Sequence, residues 1–120
     1  MYRDIEDLHE KFKKLGAIQE YSSKTMLERV SFIQEETQEL IDAICKDDQE
    51  EVLDALVDLC VVAMGSAWWS GYDFESAWNE VHKANMAKEA VEGQIKAERN
   101  MQYDLNKPEG WEKPNLKRFV

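Results

Sequence analysis

Apolar residues recur every three or four positions through most of the first 89 residues, a spacing that lines one face of an α-helix. Both prolines, Pro108 and Pro114, lie near the C-terminus, so no proline interrupts a helix before them. Short polar breaks divide the pattern and predict four helices, at about residues 4–15, 24–46, 49–70 and 74–89. We therefore expect one all-α domain over residues 1–120, an antiparallel bundle of about four to five helices. An irregular, extended tail is expected over about residues 100–120.

Residues that begin and end helices occupy the polar breaks. Ser22 or Ser23 suits the N-cap of the second helix, and Asp47 or Asp48 that of the third. Gly71 follows the third helix as a stop signal. The third helix becomes apolar on nearly every face, so we expect it to be central and buried. The inner face of the first helix is predicted to carry Ile5, Leu8, Phe12 and Leu15.

The charge balance limits the partners of this chain. Its formal net charge is −10, from 25 acidic and 15 basic side chains. This excess of acid argues against binding to a nucleic acid polymer or to an anionic membrane surface. A small phosphorylated ligand stays compatible with it, because bound cations reverse the local field.

Compartment and redox state are predicted from the N-terminus and the cysteines. The N-terminus is charged from its first residues, unlike a signal peptide, and the longest apolar stretch falls short of the about 20 residues of a membrane span. A cytoplasmic protein is the expectation. Cys45 and Cys60 stand in apolar surroundings on separate helices, which predicts buried free thiols rather than a disulfide.

Carboxylates interrupt the apolar pattern of the second and third helices. Glu36 and Glu39 project together, and so do Glu51, Asp54 and Asp58, whereas Glu35 points about 100° away from Glu36 and suits a solvated position.

Such carboxylates are costly unless positive charge compensates them, and Arg29 or Lys24 could neutralise only one. Oxygen ligands alone favour Mg²⁺, with Mn²⁺ as a substitute. A di-iron site is disfavoured because neither His9 nor His82 follows a glutamate by three residues.

The fourth helix offers a second polar group. Asn85 and Lys88 are three residues apart and would share a helix face, with His82 on the same stripe. An amide can contact a base or sugar, and a lysine can hold phosphate.

The order of these motifs resembles the MazG-like all-α nucleotide pyrophosphohydrolases, which include relatives of phosphoribosyl-ATP pyrophosphohydrolase. The resemblance rests on four sequence pieces and a tail motif: Glu35-Glu36-x-x-Glu39, the acidic Asp54-Ala-Leu-Val-Asp58-Leu element with Gly65, Gly71-Tyr-Asp73, Val81-His82-Lys-Ala-Asn85-Met86-Ala-Lys88, and the tail Lys107-Pro-Glu-Gly-Trp111-Glu-Lys-Pro-Asn-Leu116. It covers roughly residues 5–118.

By resemblance, Glu36, Glu39 and the acids of the third helix would hold Mg²⁺ on the triphosphate, and Asn85 and Lys88 would contact the nucleotide. Either Glu51 or Asp58 fits the family position that completes the site with Asp54. Glu35 and Glu51 are the candidates to accept a proton from water. The complete candidate set is Glu35, Glu36 and Glu39 for catalysis, Glu36, Glu39, Glu51, Asp54 and Asp58 for metal, and His82, Asn85 and Lys88 for substrate.

The leading hypothesis is Mg²⁺-dependent hydrolysis of a nucleoside triphosphate to the monophosphate and pyrophosphate. Two alternatives stay open: hydrolysis of phosphoribosyl-ATP, and a non-catalytic helical module that buries its acids between subunits. The apolar third helix and the four tryptophans suggest more hydrophobic surface than one chain can cover, so we expect a homodimer or homotetramer. The nucleotide pocket is expected near or across the subunit boundary.

Overall fold

The computed structural model describes residues 1–92 and 103–120, and the side chains of residues 1–90 and 105–120. It confirms the all-α fold class. The helices are α1 (Tyr2–Lys14), α2 (Ser23–Cys45), α3 (Gln49–Trp69) and α4 (Phe74–Met86). Strands β1 (Glu89–Glu92) and β2 (Tyr103–Asn106) form an antiparallel pair, and a short 3-10 helix spans Lys117–Phe119. The chain divides into two compact units, residues 1–74 with Val120, and residues 75–119.

The predicted helix ends are confirmed by their hydrogen bonds and backbone angles. The Ser22 hydroxyl accepts the Thr25 N–H at 3.0 Å, and the Asp48 carboxylate accepts the Glu51 N–H at 3.2 Å. Gly71 has a φ of +70°, the left-handed conformation that ends α3 at no steric cost. These caps fix where α2 and α3 begin and end, and so fix the register of the acids they carry.

The core of the first unit lies between α1 and the C-terminal half of α3. Tyr2, Ile5 and Met64 form its buried centre, with Val61 and Phe74 packed against them. The prediction of the α1 face was wrong except for Ile5, because the buried face of α1 consists of Tyr2, Ile5 and His9, whereas Leu8, Phe12 and Leu15 are exposed.

The burial of His9 explains why the inward face of α1 differs from the predicted one. Its imidazole is 4% exposed and stacks on Trp68 with ring centroids 4.9 Å apart. Burial, and then the charge of Arg29, lower the pKa of His9, so the ring is neutral at physiological pH. Because the rings of His9 and Trp68 are buried against each other, the side of α1 that carries Leu8 faces outward.

Gly65 on α3 allows this packing. A Cβ at this position would lie 2.5 Å from His9 Nε2 and 2.9 Å from an Arg29 guanidinium nitrogen. Arg29 in turn donates to the Ser66 hydroxyl at 3.2 Å and to the Val62 carbonyl at 3.3 Å. Only glycine lets α1 and α2 approach α3 this closely.

The N-terminal half of α3 contradicts the expectation of a wholly buried helix. Within the single chain Leu53 is 64% exposed, and Leu56 and Val57 are also exposed. The buried residues cluster toward the C-terminal end, from Met64 to Trp68, where α1 packs. Cys45 and Cys60 are free thiols as predicted, but they are exposed rather than buried.

By length and composition alone, α3 is long and apolar enough to cross a membrane, contrary to the expectation from sequence. The core helices of soluble proteins pass the same test, but they are mostly buried, whereas only 28% of this apolar window is buried in the single chain. Asp54 and Asp58 lie inside this stretch, where a bilayer makes carboxylates costly.

The fourth helix is shorter than predicted. It ends at Met86, and the chain then forms β1, so the prediction of helix to residue 89 was wrong. The expected irregular tail is also partly wrong, because Tyr103–Asn106 pairs with Glu89–Glu92 in register. Lys88 therefore lies outside the helix that carries Asn85.

Gly65→Ala is expected to destabilise the protein, although alanine is the better helix former by about 1 kcal/mol. The new Cβ would collide with His9 and Arg29, and such overpacking costs about 1–3 kcal/mol. Urea unfolding should therefore show a net loss of up to about 2 kcal/mol.

His9→Ala supplies the matched background for this test. With the imidazole removed, Gly65→Ala should be neutral or stabilising, because its main obstacle is gone. A rise in stability on Gly65→Ala with His9 in place would contradict the assigned packing.

Candidate functional site

The acids meet where α2 packs along α3. Glu36 of α2 is half-buried, and its Oε2 atom is fully buried without a hydrogen-bond partner among the described residues. A buried carboxylate oxygen with no donor is costly, so the site lacks a compensating positive group within this part of the chain.

The pKa of Glu36 is raised above its ordinary value. Burial is the largest cause, followed by the charge of Glu39, a side-chain hydrogen bond with Glu39, and the charges of Asp58 and Glu35. Asp58 belongs to α3, so the packing of the two helices brings acids from both motifs within electrostatic reach of one another. Glu36 is the centre of this cluster, because all these charges act on it. The sequence alone showed two acidic helix faces but not that they meet at Glu36.

A second acidic surface continues from the same cluster. Glu39 and Glu51 line one pocket of about 450 Å³, together with Asp42, Ala43, Lys46 and Asp48. Lys46 is the single cation among its lining residues. The capping hydrogen bond from the Glu51 N–H to the Asp48 carboxylate holds the start of α3 at this pocket.

The remaining predicted ligand stands apart from these contacts. Asp54 is exposed, and its charge is not among those that raise the pKa of Glu36. Glu35 is exposed too, as its angular position on α2 suggests. Arg29 was a candidate counter-ion, but its guanidinium bonds to α3 and lies 5.3 Å from the Phe32 ring centroid.

The described residues contain no group of three or more His, Cys, Asp or Glu placed closely enough to hold a metal ion. The donor set nevertheless fits a hard cation, because Glu36 Oε2 has no partner and Glu39 and Asp58 act on it. In the described part of the chain none of these acids pairs with lysine or arginine. Small side-chain movements toward a shared cation would relieve the repulsion.

The substrate candidates lie in the second unit. His82 and Asn85 are exposed on α4, while Lys88 is half-buried just beyond it. The Lys88 ammonium lies 5.4 Å from the ring centroid of Trp111, and the Lys107 ammonium lies 5.0 Å from the same centroid. In the sequence Trp111 is recognisable only as part of the tail motif, and no pattern signals its contact with Lys88.

One comparison with known proteins finds a family. The family model described as phosphoribosyl-ATP pyrophosphohydrolase matches residues 5–85, about two thirds of the chain. The matched range contains every carboxylate discussed above as well as His82 and Asn85, and it ends before Lys88 and the C-terminal tail. A search of the curated proteins finds no match to this chain.

Glu36→Gln is expected to stabilise the metal-free protein at neutral pH. Because the folded pKa of Glu36 lies above its ordinary value of 4.5, only at pH values between the two does the folded state hold a proton that the unfolded state has lost. The stability of the wild type therefore falls as pH rises from about 4.5 through the folded pKa of Glu36. The glutamine variant should lose this contribution to the pH dependence and show the higher Tm at pH 7 without metal.

Addition of Mg²⁺ should reverse the order. The wild type should gain about 2.7 kcal/mol at a hundredfold excess over the dissociation constant, and Glu36→Gln much less. Glu28→Gln, an exposed glutamate on the same helix, is the matched control and should behave as the wild type does. An unchanged Mg²⁺ response in Glu36→Gln would remove Glu36 from the metal site.

Proposed function

The chain belongs to the phosphoribosyl-ATP pyrophosphohydrolase family of MazG-like all-α enzymes, and from this premise we propose that it hydrolyses nucleoside triphosphates. Membership of the family makes it a pyrophosphohydrolase, a hydrolase that acts on acid anhydrides. The proposed reaction converts a ribo- or deoxyribonucleoside triphosphate into the monophosphate and pyrophosphate.

The single observation that carries this proposal is the unpartnered, buried Oε2 of Glu36 beside Glu39 and Asp58. Enzymes of the family generally use a divalent metal. We propose Mg²⁺ or Mn²⁺, held by Glu36, Glu39 and Asp58, with Asp54 and Glu51 as further ligands. A bound cation supplies neutralisation of phosphate charge and orientation of the water that attacks phosphorus.

The carboxylates have a second role as proton acceptors. The water oxygen forms a bond to phosphorus as the α–β anhydride bond breaks, and the water's proton passes to a carboxylate. Glu35 and Glu51 are the proposed acceptors. Both are exposed, so solvent can later remove the proton.

The second unit supplies the groups proposed to hold the nucleotide. The Lys88 ammonium would stabilise negative charge on the departing pyrophosphate. The Asn85 amide can donate to and accept from a base or sugar, and His82 adds a third polar contact. All three are proposed on the family resemblance.

Phosphoribosyl-ATP is the second candidate substrate, and the description of the matching family favours it. Its hydrolysis breaks the same α–β anhydride bond, so the same acids would serve. Rescue of a histidine auxotroph that cannot hydrolyse phosphoribosyl-ATP would favour phosphoribosyl-ATP as the substrate. Failure to rescue it would favour nucleoside triphosphates.

We propose that the exposed apolar surface of α2 and α3 is buried between copies of this chain. It includes Phe32, Ile41, Ile44, Leu53, Leu56 and Val57. Isolated apolar residues on a surface are ordinary, but here six large ones are exposed on two helices that pack against each other. Burial of the surface in a dimer or tetramer would remove it from water.

The product test is direct. Incubation with each nucleoside triphosphate and Mg²⁺ should give the monophosphate and pyrophosphate, identified by ion chromatography. Glu36→Gln should lose about 100-fold or more in kcat/KM, and Glu28→Gln should retain activity. Release of orthophosphate alone, or no turnover with any nucleotide, would overturn the proposal. If the protein shows no turnover and its Tm also does not rise with Mg²⁺ or Mn²⁺, the result would favour the non-catalytic helical module.

The assembly test uses one residue on the apolar surface and one away from it. Leu53→Lys should shift the protein toward monomer in light scattering, because it places a charge in the proposed interface. Leu15→Lys changes a residue that is 83% exposed at the end of α1 and should leave the assembly unchanged. A wild-type protein that is monomeric at assay concentrations would contradict the proposed assembly.

A further inference from the structure

Trp111 satisfies a backbone carbonyl at the end of α4. The last carbonyls of a helix have no partner within the helix. Ala87 donates to the Lys83 carbonyl at 3.2 Å, and Lys88 donates to that of Asn85 at 3.1 Å. The Ala84 carbonyl between them accepts the indole N–H of Trp111 at 2.7 Å.

This bond explains why α4 stops where it does. In a continuing helix the Ala84 carbonyl would accept the Lys88 N–H, the donor four residues on. Trp111 takes that place, and the Lys88 N–H turns to Asn85 instead. The backbone of Lys88 thus leaves the helix because of a side chain 27 residues from Ala84.

The same indole contacts the side chain of Lys88. The ammonium lies 5.4 Å from the ring centroid, within the roughly 6 Å at which a cation is attracted to an aromatic face. Lys88 is half-buried, so this contact limits where its charge can go. Trp111 therefore acts on Lys88 twice, through the backbone and through the ammonium.

Trp111 is itself held firmly. Its backbone N–H donates to the Pro108 carbonyl at 3.0 Å across a turn in which Gly110 has a φ of +79°. Farther along, Arg118 pairs with Glu80 of α4 at 3.3 Å, which ties the end of the tail to the same helix. The ring is presented by a tight turn rather than by a loose segment.

We propose that Trp111 is a positioning residue that aims the Lys88 ammonium at the phosphates of the substrate. This inference rests on the proposed function, since that is where Lys88 is assigned to the substrate. Trp111 touches neither substrate nor metal in this account, and its effect on the reaction passes through Lys88.

The test is a double-mutant cycle on kcat/KM. A cation–aromatic contact of this kind corresponds to about a 3- to 30-fold effect, so Trp111→Leu should lower kcat/KM by that factor, mainly through kcat. In a Lys88→Met background the same change should cost nothing further. Trp111→Phe keeps an aromatic face without the N–H and should fall between wild type and Trp111→Leu.

Lys107→Met is the matched control, because it removes the other ammonium over the same ring. Its kcat/KM should equal that of the wild type. Equal activity of Trp111→Leu and wild type, or an equal loss in both Lys88 backgrounds, would overturn the inference, since the second result marks a purely structural role.

A nuclear magnetic resonance readout separates this inference from the proposed function. The side-chain methylene protons of Lys88 should be shifted upfield by the Trp111 ring in the wild type and return toward ordinary values in Trp111→Leu. Absence of turnover in the wild type would overturn the proposed function, and the ring shift would then decide the Trp111–Lys88 contact alone. Unshifted Lys88 protons in the wild type would overturn the inference whatever the activity.

Discussion

The packing of α2 along α3 forces carboxylates together, and the candidate site depends on this repulsion. Glu36 has a buried oxygen with no donor, and Glu39 and Asp58 add negative charge beside it. Folding alone gains nothing from such an arrangement. A divalent cation reverses the sign of the interaction, which links the stability of the first unit to the metal that the family generally uses.

A glycine lets the helices hold this geometry. Because Gly65 has no Cβ, His9 and Arg29 both reach the surface of α3. The Arg29 guanidinium donates its hydrogen bonds there, to Val62 and Ser66. The one arginine of α2 is thereby kept from neutralising the acids of its own helix. The uncompensated charge around Glu36 is thus partly a consequence of how the core was packed.

Much of the fold could be predicted from the sequence, because helix spacing and caps are local properties. Ser22 and Asp48 cap the starts of α2 and α3, and Gly71 follows the end of α3 with a positive φ, as these residue types favour. The end of α4 could not be predicted, because it depends on a bond from Trp111, which lies far along the chain. The inner face of α1 depends on His9 stacking against Trp68, and spacing alone favoured the leucines. Of the site, the acids could be named, but their grouping around Glu36 required the helix packing.

Diffraction from crystals grown with Mn²⁺ and a non-hydrolysable nucleoside triphosphate is the decisive test of the proposed metal site. We expect an anomalous peak at the α2–α3 acids, with oxygens of Glu36, Glu39 and Asp58 within about 2.0–2.6 Å of the ion, the range of hard-cation oxygen ligands. A structure in which these acids instead pair with lysine or arginine of a second copy, with the Mn²⁺ elsewhere, would contradict it.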